Sequence, residues 1–187
     1  GDFIVYLTGS TNFRHAIAVS HPYKGNRKGS GKPEHFNAIR QYIIDKFPTE
    51  ISVDEEADDL IAIMATKVGP SVIVATTDKD MQQLVCKHYN PRTGIHSVVN
   101  EFEALLSFYT QLLTGDTVDN IKCIKGVGPK KAEKLLAECR SEGELYLTCV
   151  RAYEDAGEAP ERLLENARLL HLRRVEGELW EPPVVRL

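Results

Sequence analysis

Between Ile51 and Ala75 the chain reads strand, helix, strand, and this unit constrains the fold more than any other stretch. Ile51-Ser52-Val53 is a short strand-forming run. Glu56-Ala57-Asp58-Asp59 then opens a helical pattern through Leu60-Ile61-Ala62-Ile63-Met64-Ala65, and Gly69-Pro70 stops it. Ser71 to Ala75 follows as an apolar run of the kind buried in a parallel sheet. Such a βαβ unit sets polar loops at the carboxyl ends of its strands, where open α/β sheets bind ligands.

Those loops are acidic. Glu56 and Asp59 lie three apart and share a helix face, with Asp58 beside them. Acidic residues in a first helical turn also suit the helix dipole, so a plain cap is available as a reading of this cluster alone. It is not alone. Thr76-Thr77-Asp78-Lys79-Asp80 follows the apolar run, with Asp78 and Asp80 at the same-face spacing of an extended chain. Farther on, Gly115-Asp116-Thr117-Val118-Asp119-Asn120 puts Asp116 and Asp119 at the same-face spacing of a helical turn. Seven converging carboxylates would repel one another strongly. The usual offset is a hard divalent cation with oxygen ligands, Mg²⁺ or Mn²⁺.

The overall charge of −4 does not argue against a nucleic-acid partner. Without those seven carboxylates, 20 acidic residues face 23 basic ones, and the remaining surface is mildly basic. No apolar run approaches the roughly 18 residues of a membrane span and no signal peptide is visible, so the expectation is a chain without membrane contact. Cys86, Cys123, Cys139 and Cys149 show neither C-x-x-C nor zinc spacing, as expected of free thiols in a reducing cytoplasm. Gly1 in place of a start methionine leads to the expectation of a fragment or a processed chain.

Phe3 to Leu7 reads as a strand ending in the turn-rich Thr8-Gly9-Ser10-Thr11-Asn12. The region from Phe13 to Ile44 is basic and polar, and its segment from His21 to Pro33 carries Tyr23, Lys24, Arg27, Lys28 and Lys32 among glycines. Lys and Arg bind phosphates and aromatic rings stack on unpaired bases, so this composition suits single-stranded or frayed DNA, a solvated surface loop being the alternative. His35 to Phe47 predicts an amphipathic helix with Phe36, Ile39, Ile43 and Ile44 apolar, and Met81 to Val85 the start of a short one. Lys87 to Val98 predicts a β-hairpin across which His88 and His96 face each other. Helices are expected over Glu101–Thr114, Glu142–Ala156 and Pro160–Arg174, the last with Arg168, Arg173 and Arg174 solvated, followed by an extended tail around Trp180.

Ile124 to Leu136 has the form of a helix–hairpin–helix signature, G-V-G-x-K-x-A. Gly126 and Gly128 let the backbone approach a phosphate, and a helix N-terminus with Lys130 and Lys131 supplies donors and charge.

Taken in order, E-A-D-D, T-D-K-D, and G-D-x-x-D-N-I followed by G-V-G-x-K-x-A resemble the 5′ nuclease (flap endonuclease) family. That family includes phage 5′–3′ exonucleases and the 5′ nuclease domain of bacterial DNA polymerase I. The resemblance runs from about Phe13 to about Leu136 and is strongest to the phage branch.

It implies an α/β fold: a PIN-like core with a mainly parallel sheet flanked by helices, then a carboxyl-terminal helical region. The expected division is a nuclease core over residues 1–100, with a basic arch at about 13–44, and a helical region over 101–187. The latter would hold a helix–three-turn–helix DNA-binding motif at about 115–136, whose loop carbonyls can take a K⁺ ion. The implied activity is structure-specific hydrolysis of DNA by two divalent ions. Glu56, Asp58, Asp59 and Asp78 would lie around the first ion and Asp80, Asp116 and Asp119 around the second, with Lys24 and Arg27 catalytic at the scissile phosphate. Tyr23, as the stacking candidate, with Lys28, Gly126, Gly128, Lys130 and Lys131 would contact DNA bearing a 5′ end or flap, in replication or repair within a (host) cytoplasm, with no obligatory protein partner. The family's first aspartate and its strand would lie upstream of Gly1, and Gly9 and Ser10 stand where the family has another aspartate. Weak binding at the first ion and reduced cleavage by this chain alone are therefore expected. Two alternatives remain open: a DNA-binding relative that does not cut, and a metal-dependent ribonuclease on a related fold.

Overall fold

The computed structural model describes residues 2–27 and 31–185; Lys28, one of the expected DNA contacts, lies outside them. The elements are β1 (Val5–Leu7), α1 (Arg14–Ile17), α2 (Phe36–Lys46), β2 (Thr49–Ile51), α3 (Ala57–Val68), β3 (Ile73–Ala75), β4 (Lys87–Asn90), β5 (Ile95–Val98), α4 (Glu101–Thr114), α5 (Pro129–Leu136), α6 (Glu142–Asp155) and α7 (Pro160–Leu170). Short 3₁₀ turns occupy Gly25–Arg27 and Lys79–Gln83.

The strands form two small sheets. β1 and β2 pair in parallel, and β3 pairs in parallel with β4, which turns back antiparallel onto β5. The fold is thus mixed α/β with parallel pairing dominant, as expected. β2 ends at Ile51 rather than Val53: the Ser52 N–H makes a last bond to the Leu7 carbonyl, its hydroxyl donates to the Glu55 carbonyl, and Asp54 takes a left-handed conformation (φ 57°). β3 is buried on one face only: Val74 points inward while Ile73 is half exposed.

Helix ends follow local chemistry. α4 starts in a capping box, in which Asn100 Oδ1 accepts from the Glu103 N–H and Glu103 Oε2 accepts from the Asn100 N–H, both at 2.9 Å. Gly115 ends it at φ 76°, and a β-carbon there would stand 2.4 Å from the Ile121 carbonyl oxygen, so only glycine fits.

Two apolar clusters hold the chain, and each crosses between its halves. The larger is helical, built on Tyr109, Leu112, Leu113, Leu145, Cys149 and Tyr153, and it takes in Tyr23 from the basic segment. The smaller packs α3 and β3 around Met81 and Leu84, and it takes in Leu172 from beyond α7.

Three expectations are corrected. α7 ends at Leu170, and the chain beyond it runs inward: Arg173 is buried, bonded to Glu55 at 2.7 Å and laid over the Phe13 ring at 3.4 Å. Arg174, also expected to be solvated, donates to the carbonyls of Leu172 and Gln83. Trp180 lies in a tail without helix or strand, as expected, and its ring is buried beside Phe108 and Tyr146. In the hairpin His88 pairs with Ser97 and His96 with Tyr89, so the two histidines do not face each other. The helix α2 forms over nearly the expected residues but buries none of them.

Candidate metal centre

The three acidic clusters meet where α3 begins, where β3 ends and where α4 gives way to a tight turn. Asp116 makes that turn: its Oδ1 accepts from the N–H groups of Val118 (2.7 Å) and Asp119 (3.2 Å), and its backbone bonds Ile121 in both directions. Asp78 Oδ1 accepts from the Asp80 N–H at 2.9 Å and caps the 3₁₀ turn that carries Asp80. At the start of α3, the Glu56 N–H donates to Asp59 Oδ2 at 3.1 Å.

Cations interleave these carboxylates. Lys24 Nζ bonds Glu56 Oε1 and lies 3.7 Å from Asp119 Oδ2. Arg27 Nη2 donates to Asp119 Oδ1 at 2.7 Å. Lys79 Nζ lies 3.5 Å from Asp80 and 3.4 Å from Asp116. The segment Pro22–Arg27 is stitched to the Asp116–Asn120 turn by backbone and side chain. Lys24 N–H donates to the Asp119 carbonyl, Asn120 Nδ2 to the Pro22 carbonyl, and Asn26 Nδ2 to the Thr117 carbonyl.

Two of the expected roles change. Tyr23 is buried, not offered to a base: its hydroxyl meets Glu56 Oε2 at 2.8 Å and Asp119 Oδ2 at 2.7 Å, and His15 packs edge-on against its ring. Burial, then the Glu56 charge, hold the phenol far above its ordinary pKa, so it stays protonated. Asp59 is fully buried, and both its oxygens are taken by Arg14, at 2.5 and 2.8 Å. Burial pushes the Asp59 carboxyl up, but the Arg14 guanidinium more than offsets this and leaves it below the ordinary value. Arg14 carried no signal in the sequence, because its partner stands 45 residues away.

The other carboxylates fit a divalent cation by their chemistry. Burial first, then the charges of Asp78, Glu56 and Asp59, push Asp58 up to about 7. Burial raises Asp80 as well, with Asp78 and Asp116 adding to it against the pull of Lys79. Negative charge in excess of its counter-ions, on oxygen donors alone, is what a hard cation relieves. Among the described residues no three carboxylates, histidines or cysteines are drawn close enough to hold an ion as they stand; Lys24 bridges Glu56 and Asp119, and Lys79 bridges Asp80 and Asp116.

The Thr8-Gly9-Ser10 loop braces this region. Thr8 Oγ1 accepts from the Ala57 N–H at the start of α3, and Gly9 N–H donates to Ser52 Oγ. A β-carbon at Gly9 would lie 2.0 Å from the Ser52 carbonyl oxygen, so the loop fits only as glycine. A cleft of about 590 Å³ between Tyr6, Ile51 and the Leu60–Met64 face of α3 lies apart from the clusters around Asp80 and Asp116, and none of the expected site residues lines it.

No family model matches the chain. It is 32% identical to the flap endonuclease Xni of Shewanella piezotolerans over 155 residues, 75% of this chain and 58% of that protein. It is 33% identical to DNA polymerase I of Rhizobium leguminosarum over 154 residues, 71% of this chain and 14% of that one. The chain belongs to the 5′ nuclease (flap endonuclease) family. In this family the fold agrees too: the zinc-bound T5 5′-exonuclease superposes with a TM-score of 0.68 at 20% identity, over 90% of this chain and 73% of that one. The T5 D15 flap endonuclease in complex with DNA and metal ions superposes with a TM-score of 0.64 at 19% identity, over 91% and 74%. The chain spans 58% and 43% of the lengths of two Shewanella flap endonucleases that it matches.

Proposed function

We propose that this chain is a structure-specific 5′ nuclease, a 5′–3′ exonuclease or flap endonuclease that hydrolyses DNA phosphodiesters with two divalent ions, Mg²⁺ or Mn²⁺. One observation carries the reading: Lys24 and Arg27 are fastened onto the Asp116–Asn120 turn, and so stand at the rim of the acidic cluster. An acidic pocket alone repels DNA. One rimmed by an ammonium and a guanidinium can accept a phosphate.

Glu56, Asp58 and Asp78 would hold one ion, and Asp80, Asp116 and Asp119 the other. Asp59, named with the first group on sequence, would serve it through Arg14 and the Glu56 N–H. Two such ions supply an activated water and neutralise charge on the leaving oxygen. Lys24 would turn from Glu56 to the scissile phosphate, and Arg27 from Asp119 to a neighbouring one. Tyr23, always protonated, would hold Glu56 and Asp119 at a fixed separation.

Gly126, Gly128, Lys130 and Lys131 are exposed at or just before the start of α5, with Gly128 as its N-cap and Pro129 at its first position. We assign to them the grip on duplex backbone, as donors to phosphate, and to the α4–α5 loop carbonyls the K⁺ ion. The substrate would be DNA with a 5′ end or flap, in the cytoplasm. Among the described residues no helix is long and apolar enough to cross a membrane.

Cleavage of a 5′-labelled flap duplex in Mg²⁺, Mn²⁺ or EDTA, comparing this chain with Asp80→Asn, tests the reading. Metal-dependent products that vanish in the variant are expected. Binding that survives EDTA with no product in any metal would favour the DNA-binding relative, for which Gly9 and Ser10, bearing no carboxylate, are the specific argument.

A further inference from the structure

A chain of buried amides runs from the end of α7 to the Asp80 carboxylate. Leu172 N–H donates to Gln83 Oε1 at 3.3 Å, and Gln83 Nε2 donates to the Leu170 carbonyl at 2.9 Å. The two backbone groups fix which end of the Gln83 amide is which. Gln83 Nε2 also donates to Gln111 Oε1 at 2.8 Å, so the Gln111 amide is oriented in turn, with its Nε2 directed at Asp80 Oδ1, 2.5 Å away. Gln83 is 2% exposed and Gln111 8%, so water cannot stand in for either.

We propose that Gln111, oriented by Gln83, is a positioning residue that fixes the Asp80 carboxylate for a divalent cation. Gln111 and Lys79 both meet Oδ1, and among the described residues no donor meets Oδ2, which leaves that oxygen to face a cation. The relay comes from the same short segment, Leu169 to Arg173, that serves the other acidic cluster. There Arg14 donates to the carbonyls of Leu169 and His171 while gripping Asp59, and Arg173 N–H donates to Asp59 Oδ1 at 3.2 Å. The stretch after α7 thus works as a spine from which both clusters are hung. The inference rests on the metal reading above and adds the residues that orient one of its ligands.

The test is Mn²⁺ binding by calorimetry, without DNA or turnover, on the wild-type chain, Gln111→Met, Asp80→Asn and the double variant, with metal-free thermal unfolding read in parallel. Gln111→Met removes the donor at nearly constant volume. It should weaken Mn²⁺ binding by about tenfold, within the range for removing partners that orient metal ligands. On the Asp80→Asn background it should change binding no further. Unchanged affinity in a folded Gln111→Met chain, or an equal loss on both backgrounds, overturns the relay. A wild-type chain that takes up no Mn²⁺ instead overturns the metal reading, and the relay with it. Should Gln111→Met not fold, Gln111→Asn, which keeps the amide but draws it back by one methylene, is read against the same outcomes.

Discussion

The hydroxyl of Tyr23 stands between two carboxylates from distant parts of the chain, 2.8 Å from Glu56 Oε2 and 2.7 Å from Asp119 Oδ2. It has one hydrogen for two anionic acceptors. Lys24, close to both, supplies the remaining compensation. Tyr23→Phe removes the hydrogen and leaves the two charges opposed. In EDTA it should cost about 2 kcal/mol, the scale of a hydrogen bond to a charged group. In Mg²⁺ the loss should shrink, since a bound cation takes over the same duty. Denaturant unfolding in the two conditions checks this, and an equal loss in both would sink the idea that the phenol offsets charge.

Arg14 and Asp59 form the most deeply buried ion pair of the described structure, with side chains 3% and 0% exposed. Such a pair adds little net stability compared with an apolar substitute, but losing one partner strands the other. Arg14→Met should therefore destabilise by about 3–5 kcal/mol. Arg14→Lys should be nearly as harmful, because a single ammonium cannot reproduce the paired bonds at 2.5 and 2.8 Å and the two backbone carbonyls. Arg14→Met with Asp59→Leu should recover much of the loss. Chemical unfolding of the three variants reads this directly. A double variant as unstable as the single one would contradict the account.

The acidic centre was legible in the sequence because carboxylates crowd at the ends of elements for few reasons, and the motif order narrowed them further. Its supports were not legible. Arg14 finds Asp59, and Gln83 finds Gln111 and Leu172, across separations of 45, 28 and 89 residues that no local pattern records. The sequence placed Tyr23 at the site but not its burial, because a tyrosine among glycines and lysines looks exposed until the helical core closes over it. The run of leucines before Arg173 extended the expected α7 by four residues, whereas the chain leaves the helix at Leu170 to bring its backbone groups to Arg14 and Gln83.

Asp58 gives a pH signature. Its carboxyl stands at about 7 in the folded chain, against an ordinary value of 3.8. At this group the folded state binds more protons than the unfolded one between those values, so its contribution to metal-free stability falls as pH rises across that window. Buried His171, held down to about 3, contributes the opposite slope below its ordinary value, so the Asp58 effect is read as a difference: in EDTA, Asp58→Asn should gain stability relative to the wild type as pH rises from about 4 to about 7. Mg²⁺ affinity should run the opposite way and tighten with pH, since the cation competes with that proton. A stability difference between wild type and Asp58→Asn that stays constant over the same range without metal would refute the assignment.

Gly115 ties the end of α4 to the turn that presents Asp116. Its φ of 76° and the 2.4 Å approach of the Ile121 carbonyl to any β-carbon make Gly115→Ala doubly unfavourable. The left-handed backbone alone costs about 1 kcal/mol or more, and the clash must be relieved by moving the Asp116–Ile121 bridge. A loss of about 2–4 kcal/mol is expected, accompanied by weaker Mn²⁺ binding, because Asp116 and Asp119 sit on the displaced turn. Thermal unfolding and metal titration of the one variant measure both effects.

Lys130 and Lys131 lie in the first turn of α5, exposed. If they hold phosphates, each releases counter-ions when DNA binds, and the logarithm of affinity falls with that of salt in proportion to the number of phosphates neutralised. Replacing both by alanine should weaken binding of flap DNA in EDTA and reduce the magnitude of the salt slope by about two, one for each lysine. Metal uptake should be untouched, since neither residue contacts the acidic cluster. Arg27→Ala separates the two surfaces: near Asp119, it should slow cleavage more than it weakens duplex binding. Salt-dependent fluorescence anisotropy on the three proteins decides the matter, and a slope unchanged by the double substitution would remove α5 from the DNA interface.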